Sequence, residues 1–405
     1  MSRIFLSSGS VVFSVSLFLC VPQALGQSED FGVWRSLFNG KDTSGWVVAR
    51  GPNAGKKPEK WSVADGALTN GNGRVDDICT TEEFDNFELE LQYKVPPQGN
   101  SGVYLRGQVE VQILDSYGRK TEKLGTGDAG ALYGVSKPLA NPQNPPNTWN
   151  TFRIRFIGNR VTVWHNGVLV QDNTYVEKPT LGALEINPLT GKRLTFGKGP
   201  IMLQGDHTKV WYRKIRVRRL CSPADGWKAI WNGKDLSAFT CRGAKVEDYW
   251  RIDDHAVTNK GHRRDMWTKQ SFGNFLVHYE YRSDPKVHGG NSGFYLRDQW
   301  EIQILSRQST TNPHSDGSLY SIYPPARLAR HGPTNWNHMD VKLVGMKIWV
   351  WQNGKLIHDG VVCKTRTDNH SVKTDRFTKA PFKFQGDHGD VWFTNLYIKI
   401  LPDTP

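Results

Sequence analysis

Two stretches, NSGVYLRGQVEVQIL (100–114) and NSGFYLRDQWEIQIL (291–305), carry the same polar side chains at the same intervals. In each, Tyr-x-Arg is followed by Glu-x-Gln. Two further stretches, LQGDH (203–207) and FQGDH (384–388), each gather an amide, a glycine, a carboxylate and an imidazole. Carboxylate and imidazole together suit general acid–base chemistry. The first half thus offers Tyr104, Arg106, Glu110, Gln112, Asp115, Gln204, Asp206 and His207. The second half offers Tyr295, Arg297, Glu301, Gln303, Gln385, Asp387 and His388, with Ser306 where the first has Asp115. The plainer alternative is an Arg–Glu pair decorating a solvated sheet. A lone histidine is also more often structural than catalytic.

Strands have to position these groups. Side chains alternate faces along a strand. Val109, Val111 and Ile113 therefore face a core, while Glu110 and Gln112 stand together on the other side, about 7 Å apart. The same alternation sends Val103 and Leu105 inward and predicts Tyr104 and Arg106 outward. If these two strands are neighbours, Tyr104, Arg106, Glu110 and Gln112 form one patch, repeated by Tyr295, Arg297, Glu301 and Gln303. Gly205 and Gly386 can permit a bulge or a close backbone approach. Gln204, Asp206 and His207, and likewise Gln385, Asp387 and His388, would then line the same face.

The recurrence extends along the chain. LFNGKD (37–42) returns as IWNGKD (230–235), and WSVADGALT (61–69) as WRIDDHAVT (250–258). TWNTFRIRFIGNRVTVWHNGVLVQD (148–172) returns as NWNHMDVKLVGMKIWVWQNGKLIHD (335–359). The order of blocks never changes. The reading is two homologous domains, 30–220 and 224–402, joined by the short CSPADG (221–226), so that they touch rather than swing freely. Within each, FELELQYKV alternates apolar and polar residues, and Asn-Gly turns mark hairpins. With 40 glycines and few helical periodicities, the expected fold is all-β: two tandem jelly-roll β-sandwiches. Trp61 and Trp250, Trp149 and Trp336, Trp164 and Trp351, and Trp211 and Trp392 pair between copies; most belong to cores, with one or two available to stack on a sugar ring.

Residues 1–26 read as a secretory signal peptide: Arg3, an apolar run from Val11 to Val21, then small residues at Ala24 and Gly26. The run is too short to span a bilayer. The expectation is an exported protein, periplasmic or extracellular, with no membrane span after removal of the signal. Cys79, Cys221, Cys241 and Cys363 then sit in an oxidising compartment, where disulfides are allowed but their pairing is open. They lack zinc-site spacing and read as structural or free. The net charge of +13 suits an anionic partner, yet no nucleic-acid motif is present. The densest basic run, RKIRVRRL (213–220), reads as a solvated strand face. Ca²⁺ can bind acidic and carbonyl-rich loops of such a fold, but no EF-hand-like loop occurs, so no metal is assigned.

At LFNGKD, GNSGVYLR…VEVQILD, GALYG, TWNTFRI, WHNGVLV and LQGDHTKVWYRKIRV, and at their second copies, the chain resembles a tandem of the 3-keto-disaccharide hydrolase domain, also described as 3-keto-glucoside lyase or 3-keto-glucal hydratase. The resemblance implies a concanavalin A-like jelly roll with its site on the concave sheet and a carbohydrate substrate. It carries over Glu110, Gln112, Gln204 and His207, with Glu301, Gln303, Gln385 and His388. The implied chemistry is elimination: a ketone at C3 acidifies the C2 proton, a base removes it, the enolate expels the C1 substituent, and water adds to the resulting 2-hydroxy-glucal. His207 or Glu110 would be the base. Arg106 or Gln112 would stabilise the enolate, and Asp206 would orient His207 or act as acid. Three rivals stand beside this: a two-carboxylate glycosidase using Glu110 and Asp206, a non-catalytic glycan-binding module, and a cell-envelope adhesion protein.

Overall fold

A computed structural model describes residues 29–261, 264–367 and 379–403. The signal-peptide segment lies outside the described residues. The chain forms four antiparallel sheets, an eight-stranded and a five-stranded sheet in each half. In the first half the larger sheet runs Val168–Tyr175, Arg160–His165, Asn150–Ile157, Phe87–Lys94, Trp211–Arg219, Ala67–Thr69, Ser62–Ala64, with Arg35–Ser36 added beside Trp211–Arg219. The smaller sheet runs Trp46–Val48, Ile78–Phe84, Gly199–Leu203, Asn100–Leu105, Val109–Leu114. The second half repeats both orders; its smaller sheet runs Phe239–Thr240, Met266–Thr268, Lys383–Phe384, Ser292–Leu296, Trp300–Ile304.

Period-two patterning dictates what is buried. Phe87, Leu89, Leu91 and Tyr93 of the larger sheet pack with Val103, Leu105, Val109, Val111, Ile113, Ile201 and Leu203 of the smaller one. Removing this apolar surface from water is the main force closing the sandwich. The Asn-Gly hairpins form as the sequence predicts: Asn166 and Gly167, and Asn353 and Gly354, all have positive φ, which the tight turn requires. Among the described residues, Cys79, Cys221, Cys241 and Cys363 are buried free thiols.

The basic run does not form a uniformly solvated face. Ile215 and Val217 do enter the core, and Arg216 is exposed, pairing with Glu90 at 2.8 Å. Arg218, however, is buried beside Glu88, which Arg153 and Arg155 also reach. Three strands bring the Glu88 carboxylate and its cations together, so Arg216 and Arg218 of the run are paired within their own sheet.

The halves meet through the larger sheets. Phe31, Cys221 and Trp227 cluster with Leu276, Trp351 and Leu356. Asn335 donates to Asp172 at 2.8 Å, Asn395 donates to the Ile157 carbonyl at 3.1 Å, and Tyr175 stacks on His255 at 3.5 Å. The joint is pinned as well, with Ser222 donating to Asp85 at 2.8 Å. The two smaller sheets, which carry the repeated polar residues, take no part in these contacts.

Candidate functional site

The strands Asn100–Leu105 and Val109–Leu114 are direct neighbours, with Tyr104 opposite Glu110 and Gly102 opposite Gln112. Tyr104, Glu110 and Gln112 point away from the core into a cavity of about 180 Å³. Gln204, Asp206 and His207 reach the same cavity from the end of Gly199–Leu203, whose Met202 pairs with Tyr104. Arg50, Asp77, Asn100, Tyr133 and the Leu181–Gly182 turn complete the lining.

Two glycines make the geometry possible. A Cβ on Gly102 would overlap the Glu110 carboxylate, so only glycine lets that side chain lie across its neighbour strand. A Cβ on Gly205 would stand 2.8 Å from both the Asp76 carbonyl and the Trp61 ring. This is the close approach expected of that position. The Gly205 N–H is held by Asp77 at 2.7 Å, which sets where Asp206 and His207 emerge.

Glu110 is 3% exposed, and the Tyr104 hydroxyl donates to it at 2.8 Å. Burial lifts its pKa to about 7; Asp77 and Asp206 add to the rise, while the Tyr104 hydrogen bond and Arg50 oppose it. The charged form is disfavoured in a site with little water and other carboxylates nearby. Asp77 is also raised, mainly by burial, against the Gly205 N–H and Arg50. Burial and the Glu110 charge keep Tyr104 protonated well above its ordinary range. At the mouth, His207 Nδ1 and Asp206 Oδ1 are 2.5 Å apart and both are exposed. Gln204 Oε1 and Asn100 Oδ1 are buried acceptors without a protein hydrogen-bond partner. The hollow therefore offers a carboxyl able to exchange its proton near neutrality, a His–Asp pair, and unpaired amide oxygens facing inward.

Three expected site residues stand elsewhere. Arg106 is 1% exposed and has φ 54°, which breaks strand alternation and turns its side chain out of the patch. Its guanidinium donates to the carbonyls of Asp85, Gly158 and Phe196 and to Asn86, lying 3.8 Å from the Phe156 ring centroid. Arg297 repeats this with φ 50° and a bond to the Gly345 carbonyl. Both pin one sheet of the sandwich to the other. Asp115 shapes a loop instead, accepting from the N–H groups of Gln98 and Tyr117. Ser306 holds the matching turn through the Gly289 carbonyl, so the Asp115/Ser306 difference concerns a turn and not the hollow. Among the described residues no tryptophan lines the cavity; Tyr104 and Tyr133 supply aromatic surface to it.

The second half repeats the arrangement. Tyr295 donates to Glu301 at 2.7 Å, Glu301 is 3% exposed, and His388 and Asp387 are 2.5 Å apart. Gln303 and Gln385 each keep an unpaired buried carbonyl oxygen. The Glu301 N–H is held by Thr367 as Glu110 is held by Thr180. The wall that follows Thr180 in the first site corresponds to residues just past Thr367, which lie outside the described residues. Among the described residues no three His, Cys, Asp or Glu side chains cluster as metal ligands.

Sequence reasoning passed over Asp77, Asn100, Tyr133 and Arg50. The first two recur as Asp265 and Asn291, and Tyr133 as Tyr320, so the repeat held a signal for them. Arg50-Gly51 lies outside the blocks compared and returns as Arg242-Gly243; only the folded chain shows that Arg50 reaches the hollow.

Comparison with known proteins agrees with this organisation. A curated 3-keto-disaccharide hydrolase of Bacteroides thetaiotaomicron is 26% identical over 254 residues, 52% of this chain and 87% of the relative. A solved Parabacteroides distasonis structure, provisionally named a glycosyl hydrolase, is 34% identical, with 46% of this chain and 84% of that one covered and a TM-score of 0.37. A second from the same organism, named in the same way, is 28% identical, with 46% and 100% covered and a TM-score of 0.35. The model of the 3-keto-alpha-glucoside-1,2-lyase-like domain matches residues 33–218 and again 226–399. The chain belongs to that domain family and carries the domain twice.

Proposed function

We propose that this is an exported enzyme that cleaves the glycosidic bond of 3-keto-glycosides by elimination followed by hydration, with the first hollow as its principal site. The observation that carries the reading is the Glu110 carboxyl, buried, bonded to Tyr104 and poised at a pKa of about 7. A base for a proton made acidic by a neighbouring ketone works best when its pKa lies near the working pH. Family membership and the relative's name support the sugar class.

In this reading one sugar ring enters the hollow and the leaving sugar projects past Asp206 and His207. Glu110 takes the C2 proton, and the electron pair forms the C2=C3 bond of an enolate. The enolate then collapses, the C1–O bond breaks, and His207, oriented by Asp206, protonates the departing oxygen. Water adds to the 2-hydroxy-glucal in a second step. Gln204 Oε1 and Asn100 Oδ1 accept hydrogen bonds from the ring hydroxyls. Gln112 faces the reacting side, whereas Arg106 is held too far inside the sandwich to take part.

The test is incubation of the full chain with a 3-keto-disaccharide and with its unoxidised parent. Cleavage of the keto sugar alone, lost in E110Q, is the expected result. Cleavage of the unoxidised sugar would favour a two-carboxylate glycosidase, and tight binding without product would favour a glycan-binding module.

A further inference from the structure

The two sites solve one electrostatic problem with different residues. In the first, the buried carboxylate of Asp77 uses Oδ1 to hold the Gly205 N–H at 2.7 Å and Oδ2 to hold the Arg50 guanidinium at 2.9 Å. In the second, Asp265 Oδ1 holds the matching Gly386 N–H at 3.1 Å. The segment after Phe239–Thr240 brings Arg242 to the hollow beside Asp265 and Asp387, but its guanidinium pairs with Asp298 at 2.7 Å. Lys383 fills the role instead. It stands at the strand position of Met202, since Met202 pairs with Tyr104 and Lys383 with Tyr295. Its ammonium lies 3.3 Å from Asp265 and 3.4 Å from the Tyr295 ring centroid.

A cation beside the Tyr–Glu pair has therefore been kept while the residue that pairs with the Asp moved from a loop beyond Trp46–Val48 to the strand Lys383–Phe384. Charge balance for the Asp carboxylate accounts for a cation in each site; the free donor of Arg50 and its place in the hollow go beyond that need. Arg50 is also not fully used by the protein: it donates to Asp77 and to the Gly182 carbonyl at 2.7 Å, but its buried Nε–H has no hydrogen-bond partner, and it lines the hollow.

We propose that Arg50 is a catalytic residue of the first site, donating to the substrate's C3 oxygen as the ketone becomes an enolate, and that Lys383 does the same in the second. This deepens the reading above and rests on it. Proton removal from C2 sends an electron pair toward C3 and leaves negative charge on the C3 oxygen. A fixed donor aimed at charge that develops only in the transition state lowers the barrier directly. Asp77 and Asp265 are positioning residues that hold this cation and the Gln-Gly-Asp-His turn in one register. The cation also opposes the rise in the Glu110 pKa.

The experiment uses the full chain in an E301Q background, so that only the first site is read, with a 3-keto-disaccharide as substrate. R50M should lose about 10²–10³-fold in kcat with a much smaller change in KM. R50K should retain kcat within about tenfold, because a lysine serves the sister site. Adding M202K to R50M should restore at least about tenfold, by importing the second site's solution. The acidic limb of the R50M rate profile should move to higher pH, as loss of the cation raises Glu110 further. Melting curves accompany each variant; if R50M folds poorly, R50K and R50M/M202K decide. R50M activity within about threefold of its parent, or R50K as inactive as R50M with no rescue by M202K, overturns the proposal while leaving the keto-sugar reading intact. Absence of keto-sugar cleavage by the unmutated chain overturns both, and that outcome is distinguishable because it appears before any substitution.

Discussion

In the proposed mechanism Glu110 carries the largest load of any single residue. Its pKa sits at about 7 rather than 4.5 because it is buried among carboxyls. Acting as a base, it must be ionised, so kcat/KM should rise with pH through about 7. Y104F removes a hydrogen bond that favours the ionised form, and should move that rise to higher pH; a rate profile checks both. The same shift has a stability consequence of opposite sense. The folded state holds the Glu110 proton more tightly than the unfolded chain, so the contribution is present below about 4.5 and is lost as pH climbs through about 7. E110Q should flatten that decline in a series of melting curves while abolishing turnover. Arg106 makes the contrasting case. R106M strands several buried carbonyls, and should cost roughly 2–4 kcal/mol of stability. The fraction that stays folded should keep an unchanged KM. Strand alternation alone assigned Arg106 to the hollow and failed there, because one residue with left-handed φ reverses the face.

At the scale of elements, two neighbouring strands and one turn build the site. The outward face of each strand was readable from sequence because Tyr104, Glu110 and Gln112 alternate against Val103, Val109 and Val111; their pairing was only a condition there, and the fold supplies it with Tyr104 opposite Glu110. The Gln-Gly-Asp-His turn was readable for the same reason, as it recurs in both halves. What lay beyond reach were groups delivered by loops: Arg50 from beyond a three-residue strand and the Leu181–Gly182 wall from a segment without periodicity. Loops obey no face rule, so neither alternation nor spacing reports where their side chains end. The role of Gly102 is an element-level prediction. G102A should push the Glu110 carboxyl off its strand and lower kcat by at least about 100-fold. Circular dichroism should stay native, since the added methyl meets a side chain rather than the backbone of the ladder.

At the scale of the molecule, two sandwiches joined through their larger sheets turn their smaller, site-bearing sheets away from the shared interface. The tandem repeat was visible in the order of motifs, but the interface was not, because its contacts pair unlike positions of the two copies: Asp172 with Asn335, Tyr175 with His255, and Asn395 with the Ile157 carbonyl. Such an interface should make the halves unfold together. D172A combined with Y175A should split one calorimetric transition into two, leaving keto-sugar cleavage by the first site within about threefold. Elimination breaks the C2–H bond before the C1–O bond, and a substrate deuterated at C2 reports that order. If elimination operates, NMR will show deuterium lost from C2 in step with release of the leaving sugar by the full chain, and no loss with E110Q/E301Q. Release of the leaving sugar with deuterium fully retained at C2 would contradict the account, because direct displacement at C1 never touches that bond.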